Sequence, residues 1–134
     1  MVRLVKSAVI ASENPDLIDQ LSNIMVEYDY SFIIVKSAIE SILKILEQEV
    51  DLLILDSDFA ENTIMNSINI IKKMRPRLPI VVLPEDFAID TVRKLTKAGV
   101  FYCAMKPVQI DEIEQVLEAV NRFHLKYGNI GTSV

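Results

Sequence analysis

Four residues in this chain could do chemistry together: Ser12, Glu13, Asp56 and Lys106. Asp56 ends the apolar run Val50-Asp51-Leu52-Leu53-Ile54-Leu55-Asp56. Such a run reads as a strand buried on both faces of a parallel sheet, with the carboxylate at its carboxyl edge. Open α/β sheets place their ligands at that edge. An aspartate there can act as a nucleophile, because its carboxylate can form an acyl phosphate. Taken alone, a strand-ending aspartate is more simply an exposed acid that opens a turn. The elements around it decide between the two.

Residues 7–11 (Ser-Ala-Val-Ile-Ala) are small and apolar and read as a first, central strand. Asn14 can cap the helix that follows, and Pro15 suits its first turn, where no hydrogen bond is lost. Leu17, Leu21, Ile24, Met25 and Tyr28 recur at helical spacing as one buried stripe. Residues 31–35 form a second strand. Ser37 followed by Glu40 fits a capping box and opens a helix with Ile39, Ile42, Leu43 and Leu46 as its core face. The strand ending at Asp56 comes next. Residues 63–75 carry Ile64, Ile68 and Ile71 on one helical face, closed by Pro76. Residues 78–83 are a fourth strand, stopped by Pro84. Asp86 can cap a fourth helix with Val92, Leu95 and Ala98 inward, ended by Gly99. Residues 100–105 form a fifth strand before Lys106-Pro107. Residues 110–127 form the last helix, with Ile113, Val116, Leu117 and Val120 inward.

Five strand–helix alternations predict a doubly wound α/β fold: a five-stranded parallel sheet in the flavodoxin-like order 2-1-3-4-5, with helices on both faces. In that order the carboxyl ends of the first, third and fifth strands converge. Ser12, Glu13, Asp56 and Lys106 should therefore share one pocket, which turns Asp56 from a bystander into a candidate nucleophile.

A chain of 134 residues makes one domain. We read residues 1–127 as that domain and 128–134 as a tail or the start of a linker. The formal charge of -5 disfavours direct binding to nucleic acid. A single cysteine, Cys103, excludes an internal disulfide, and a single histidine, His124, argues against a zinc site. His124 is expected to face solvent, and Met25, Met65, Met74 and Met105 to fill the core or its margin. No signal peptide or membrane span is recognisable, so a cytoplasmic location is expected.

The ordered segments Val9-Ile10-Ala11-Ser12-Glu13-Asn14-Pro15, Asp51-Leu52-Leu53-Ile54-Leu55-Asp56, Leu78-Pro79-Ile80-Val81-Val82-Leu83, and Gly99 through Lys106-Pro107 resemble the receiver domain of two-component response regulators. The likeness runs from about Lys6 to about Arg122. It implies phosphoryl transfer to Asp56 from a histidine kinase, a phosphotransfer protein or a small acyl phosphate. It implies a signalling module rather than an enzyme. It also implies Mg²⁺ held by Glu13, Asp56 and the main-chain carbonyl of Asp58, with Lys106 on a phosphoryl oxygen, and a cis Lys106-Pro107 bond. Partners implied are a kinase, and an output domain or a second copy on the face formed by the fourth helix, fifth strand and fifth helix.

The departures from the family pattern are specific. Ser12 takes the first position of the acidic pair, which weakens the magnesium site, although its hydroxyl could hold a metal-bound water. Pro84 takes the place of the switch Thr or Ser and has neither hydroxyl nor N–H. Glu85 follows where a small residue is usual, and its carboxylate would repel a phosphoryl dianion unless it turned to solvent or to the metal. Cys103 takes the place of the switch Tyr or Phe. Phe59 and Ala60 replace the family's Met-Pro. Losing one charge-assisted hydrogen bond to the phosphoryl group costs roughly 1.5–3 kcal/mol, so phosphorylation at Asp56 is not expected to drive the family's ordinary switch. Two readings follow: a phosphoaccepting receiver with atypical switching, and a pseudo-receiver acting as a phosphorylation-independent interaction module. Asp51 reads as an acid opening the strand, Cys103 as a buried filler, and Glu13 equally as a metal ligand or an acid opening a helix.

Overall fold

The computed structural model of the chain describes residues 5–57, 61–85 and 88–128. Along the chain come β1 (Lys6–Ala11), α1 (Pro15–Glu27), β2 (Tyr30–Val35), α2 (Ala38–Glu47), β3 (Leu52–Asp56), α3 (Glu61–Met74), β4 (Ile80–Leu83), α4 (Ile89–Lys97), β5 (Tyr102–Cys103) and α5 (Ile110–Phe123). A π turn, His124–Gly128, continues α5. The five strands pair in parallel in the order β2-β1-β3-β4-β5. The predicted topology is therefore the observed one. The chain leaves β1 for β2, then returns past it to β3, and the carboxyl ends of β1 and β3 flank that reversal.

Strand alternation sorts the core into two layers. Ala8, Ile10, Leu52, Ile54, Val81 and Leu83 pack with α1 and α5. Val9, Ala11, Leu53, Leu55, Ile80 and Val82 pack with α2, α3 and Leu95 of α4. Every residue of β3 and β4 is buried, Asp56 included. The inward faces of α3 (Ile64, Ile68, Ile71) and α5 (Ile113, Val116, Leu117, Val120) are as predicted. On α1, Leu17, Leu21, Ile24 and Met25 are buried, and Tyr28 packs at the margin.

Local signals also hold. Asn14 Oδ1 accepts the backbone N–H groups of Asp16 and Leu17, with Pro15 in the first turn. Ser37 Oγ accepts the Glu40 N–H at 3.1 Å, and Glu40 reaches back to the Lys36 N–H at 3.2 Å, one residue beyond the reciprocal donor of a standard box. Gly99 adopts φ +97°, and a Cβ there would lie 3.0 Å from Lys72 Cε.

Other expectations need correcting. The buried face of α2 is Ala38, Ser41 and Ile45, while Ile39, Leu43 and Leu46 are exposed and Ile42 sits between. The apolar arc of this helix is wider than its contact, and the small residues Ala38 and Ser41 let it lie against the sheet on their side. Only Leu95 of α4 is buried, with Val92 and Ala98 half-buried. The paired part of β5 is two residues, although Phe101 and Ala104 still donate to Ile80 and Val82 carbonyls. Met105 is exposed. His124 is half-buried, and its Nε2 donates to the Asp51 carbonyl at 2.7 Å. The expected cap at Asp86 lies outside the described residues.

Candidate functional site

Asp56 ends β3 with no solvent exposure. A carboxylate so placed must have partners, because desolvating an unpaired charge is costly. Its Oδ1 receives Lys106 Nζ at 2.5 Å and the Ser57 backbone N–H at 2.7 Å. Its Oδ2 receives the Ser12 hydroxyl at 2.7 Å. Ser12 follows β1 directly, and its backbone N–H continues the β1–β2 ladder onto the Val35 carbonyl. Its Oγ in turn accepts the Asn14 N–H at 3.1 Å, so the loop that starts α1 also fixes the carboxylate. Lys106 stands just after β5, and its bond to Pro107 is cis. The convergence of the first, third and fifth strands thus joins Ser12, Asp56 and Lys106.

Around this core lies a second ring. Lys106 Nζ donates to Ser57 Oγ at 3.1 Å and to Glu85 Oε2 at 3.4 Å. Ser57 Oγ donates to the same Glu85 oxygen at 3.1 Å. Ser57 is a site residue that sequence reasoning missed. A serine after a strand-ending aspartate carries no signal of its own, and only the fold brings Glu85 within its reach. Glu85 itself turns neither wholly to solvent nor to a metal but onto the lysine.

Pro84 is buried immediately after β4, so no hydroxyl reaches the site from that position. Cys103 is half-buried beside the layer formed by α2, α3 and α4, and burial pushes its thiol pKa up. Tyr102 points to the other face, where its hydroxyl donates to Glu112 at 2.7 Å. That hydrogen bond, with lesser help from desolvation and the Glu112 and Cys103 charges, raises the phenol pKa. Glu13 is exposed, and among the described residues it makes no hydrogen bond to Asp56 or Lys106. Asp58, Phe59 and Ala60 lie outside the described residues.

A family model described as "Response regulator receiver domain" matches residues 8–118. The chain belongs to that family. Among its relatives, this receiver is 26% identical over 110 residues to the transcriptional regulatory protein GlrR of Escherichia coli, covering 82% of this chain and 25% of that protein. It is 24% identical over 91 residues to the transcriptional regulatory protein ZraR of Salmonella typhimurium, covering 68% and 21%. The chain thus spans about a quarter of the length of the curated relatives it matches. A CheY-like receiver domain protein of Methanospirillum hungatei superposes with TM-score 0.80 at 20% identity, covering 91% of this chain and 98% of that one. The signal receiver domain of an HD domain-containing protein of Pseudomonas fluorescens gives 0.81 at 16%, covering 94% of each. Receivers are modules of two-component signalling, and an aspartate is their typical phosphorylation site.

Receivers also typically hold Mg²⁺ in an acidic pocket. The residues of this receiver fit that ion poorly. Among the described residues no group of three or more His, Cys, Asp or Glu side chains could hold a metal. Asp56, the one buried carboxylate among the described residues, already takes three hydrogen bonds, one of them from an ammonium. The Ser12 hydroxyl gives its proton to Oδ2 and accepts the Asn14 N–H, rather than facing a metal-bound water. Lys106 supplies the positive charge beside Oδ1.

Proposed function

We propose that Asp56 is the phosphoryl acceptor of this receiver. The observation that carries the reading is the buried Asp56 carboxylate with Lys106 Nζ 2.5 Å from Oδ1. Oδ1 forms a bond to phosphorus while the bond from phosphorus to the donor breaks. From a phosphohistidine the electron pair leaves on the imidazole nitrogen, which then takes a proton. From acetyl phosphate it leaves on acetate. Little covalent work falls to the protein, and placement with charge neutralisation does most of it. Lys106 neutralises charge on the transferred group as a point cation, the Ser57 N–H steadies Oδ1, and Ser12 fixes the far oxygen so that Oδ1 keeps its aim. Magnesium binds only weakly in this reading.

The donor is a histidine kinase or phosphotransfer protein. Ile89, Tyr102, Met105 and Ile110 leave exposed apolar surface along α4, β5 and the start of α5, which supports that face as the site for an output domain, another partner or a second copy. The acidic balance supports protein rather than nucleic acid as the direct partner. No helix among the described residues is long and apolar enough to cross a membrane, and we place the module in the cytoplasm as a signalling domain rather than an enzyme. The phosphorylation-independent reading is less favoured, because acceptor and lysine stand together in working geometry.

The test is intact mass after incubation with acetyl phosphate at high Mg²⁺. The wild type should gain one phosphoryl group, and Asp56→Asn none. An unmodified wild type under those conditions would sink the proposal.

A further inference from the structure

Glu85 Oε2 takes hydrogen bonds from two donors, the Ser57 hydroxyl at 3.1 Å and Lys106 Nζ at 3.4 Å. Both donors border Asp56: Ser57 is its neighbour in the chain, and Lys106 contacts Oδ1. A phosphoryl group on Oδ1 places its anionic oxygens within reach of the same ammonium and hydroxyl. These donors cannot serve both anions in full. The phosphoryl group carries about -1.5 to -2 charge against a single charge on Glu85. Glu85 is also the more easily released, because its side chain is 73% exposed and rehydrates at little cost.

We propose that Glu85 is a displaceable internal anion seated where the phosphoryl group must go. When Asp56 is phosphorylated, Lys106 and the Ser57 hydroxyl transfer from Glu85 to a phosphoryl oxygen, and Glu85 is expelled to water. The inference rests on Asp56 being the acceptor, and it supplies what the Pro84 position lacks. The unmodified protein ties the end of β4 to the end of β3 through Glu85, Ser57 and Lys106. Phosphorylation cuts that tie, so Glu85 at the end of β4 loses its anchor rather than gaining a hydroxyl contact, and the change is read out in the α4 amides. Glu85 is thereby a positioning residue that also opposes the approach of an anionic donor.

The experiment compares the full chain with Glu85→Gln, Ser57→Ala and Asp56→Asn under acetyl phosphate. Adduct formation is followed by intact mass, and the α4 amides by two-dimensional NMR before and after labelling. Glu85→Gln should label about threefold faster, the size of effect expected of an exposed charged contact. Before labelling, its α4 amides should already lie near the positions the wild type reaches after labelling. Ser57→Ala removes one of the two donors and should fall between them. Equal labelling rates with unmoved amides would overturn the displacement and leave the acceptor reading standing. A rate difference that disappears in about 0.5 M salt, with no amide shift, is charge repulsion alone and also overturns it. If the wild type does not label even at high Mg²⁺, the acceptor reading fails and this inference falls with it.

Discussion

An aspartate stands at each end of β3, and the two are held in different ways. Asp51, just before the strand, is half-buried and clamped to the backbone of β1. Its Oδ2 accepts the Ser7 N–H at 2.7 Å, and its own N–H donates to the Ser7 carbonyl at 2.7 Å. Its carbonyl is taken by His124, which ties the π turn to the sheet. Lys6 stands close enough to feel its charge, but Lys6 Nζ gives its hydrogen bond to Asn121, which Tyr30 also contacts. Asp56, at the far end, is held chiefly by side chains: an ammonium and a hydroxyl, with one backbone N–H. A carboxylate whose donor is part of a strand cannot change partner without breaking the sheet. A carboxylate whose donors are side chains can. The amino edge of the sheet is a latch and the carboxyl edge the candidate site, although both use an aspartate with a serine and a lysine nearby.

The largest test of this division is Lys106→Ala. It leaves a fully buried carboxylate without its cation and should cost about 3 kcal/mol of stability in urea at neutral pH, the scale for breaking a buried pair. A loss below about 1 kcal/mol would mean that Ser12 and the Ser57 N–H suffice to hold Asp56. Next is Asp51→Ala, which removes a carboxylate from a backbone donor. It should cost about 1–2 kcal/mol and leave phosphoryl labelling of Asp56 unchanged. If the folded variant no longer labels, the two ends are not independent.

The smallest effect is electrostatic. Burial lowers the pKa of Lys6 below the ordinary lysine value of 10.5, and attraction to Asp51 only partly offsets it. A lysine whose folded pKa is depressed is penalised while protonated. That penalty is fully present below the folded pKa and fades as pH rises from there towards 10.5, so stability gains with pH across that window. Asp51→Asn removes the offset and should lower the Lys6 midpoint further, read by NMR titration of its side-chain carbon. A midpoint that stays put would show that Asp51 is electrostatically spent on its backbone donor alone.

Most of this architecture was legible from the chain because its signals were local and unambiguous. The uniform runs of β3 and β4 and the narrow stripes of α3 and α5 leave only one way to face a sheet. Helix α2 was misread because Ile39, Ile42, Leu43, Ile45 and Leu46 spread over about 160° of the helical circumference at 100° per residue, wider than the contact the sheet makes. Periodicity locates the centre of such an arc, whereas the sheet selects the edge where small side chains allow close approach. Aspartate and lysine could be paired in advance, since strand order alone brings Asp56 and Lys106 together. The Ser12 bond to Asp56 and the Ser57–Glu85–Lys106 ring could not, because they depend on rotamers and loop paths with no periodic signature.

The all-parallel pairing has a kinetic consequence. No two neighbouring strands can be joined by a hairpin, and the register couples Lys6 with Tyr30 and Ala8 with Leu52, far apart in the chain. Pairings of such long sequence separation are slow to form, because loop closure precedes any gain from contact. The site needs three of these strands, and the edge strand β5 is the shortest. A refolding chain is expected to regain its helices and central strands before the edge strand that leads to Lys106. Protection of the Cys103 thiol during refolding should lag behind recovery of helical signal, and simultaneous recovery would show that the whole sheet closes in one step.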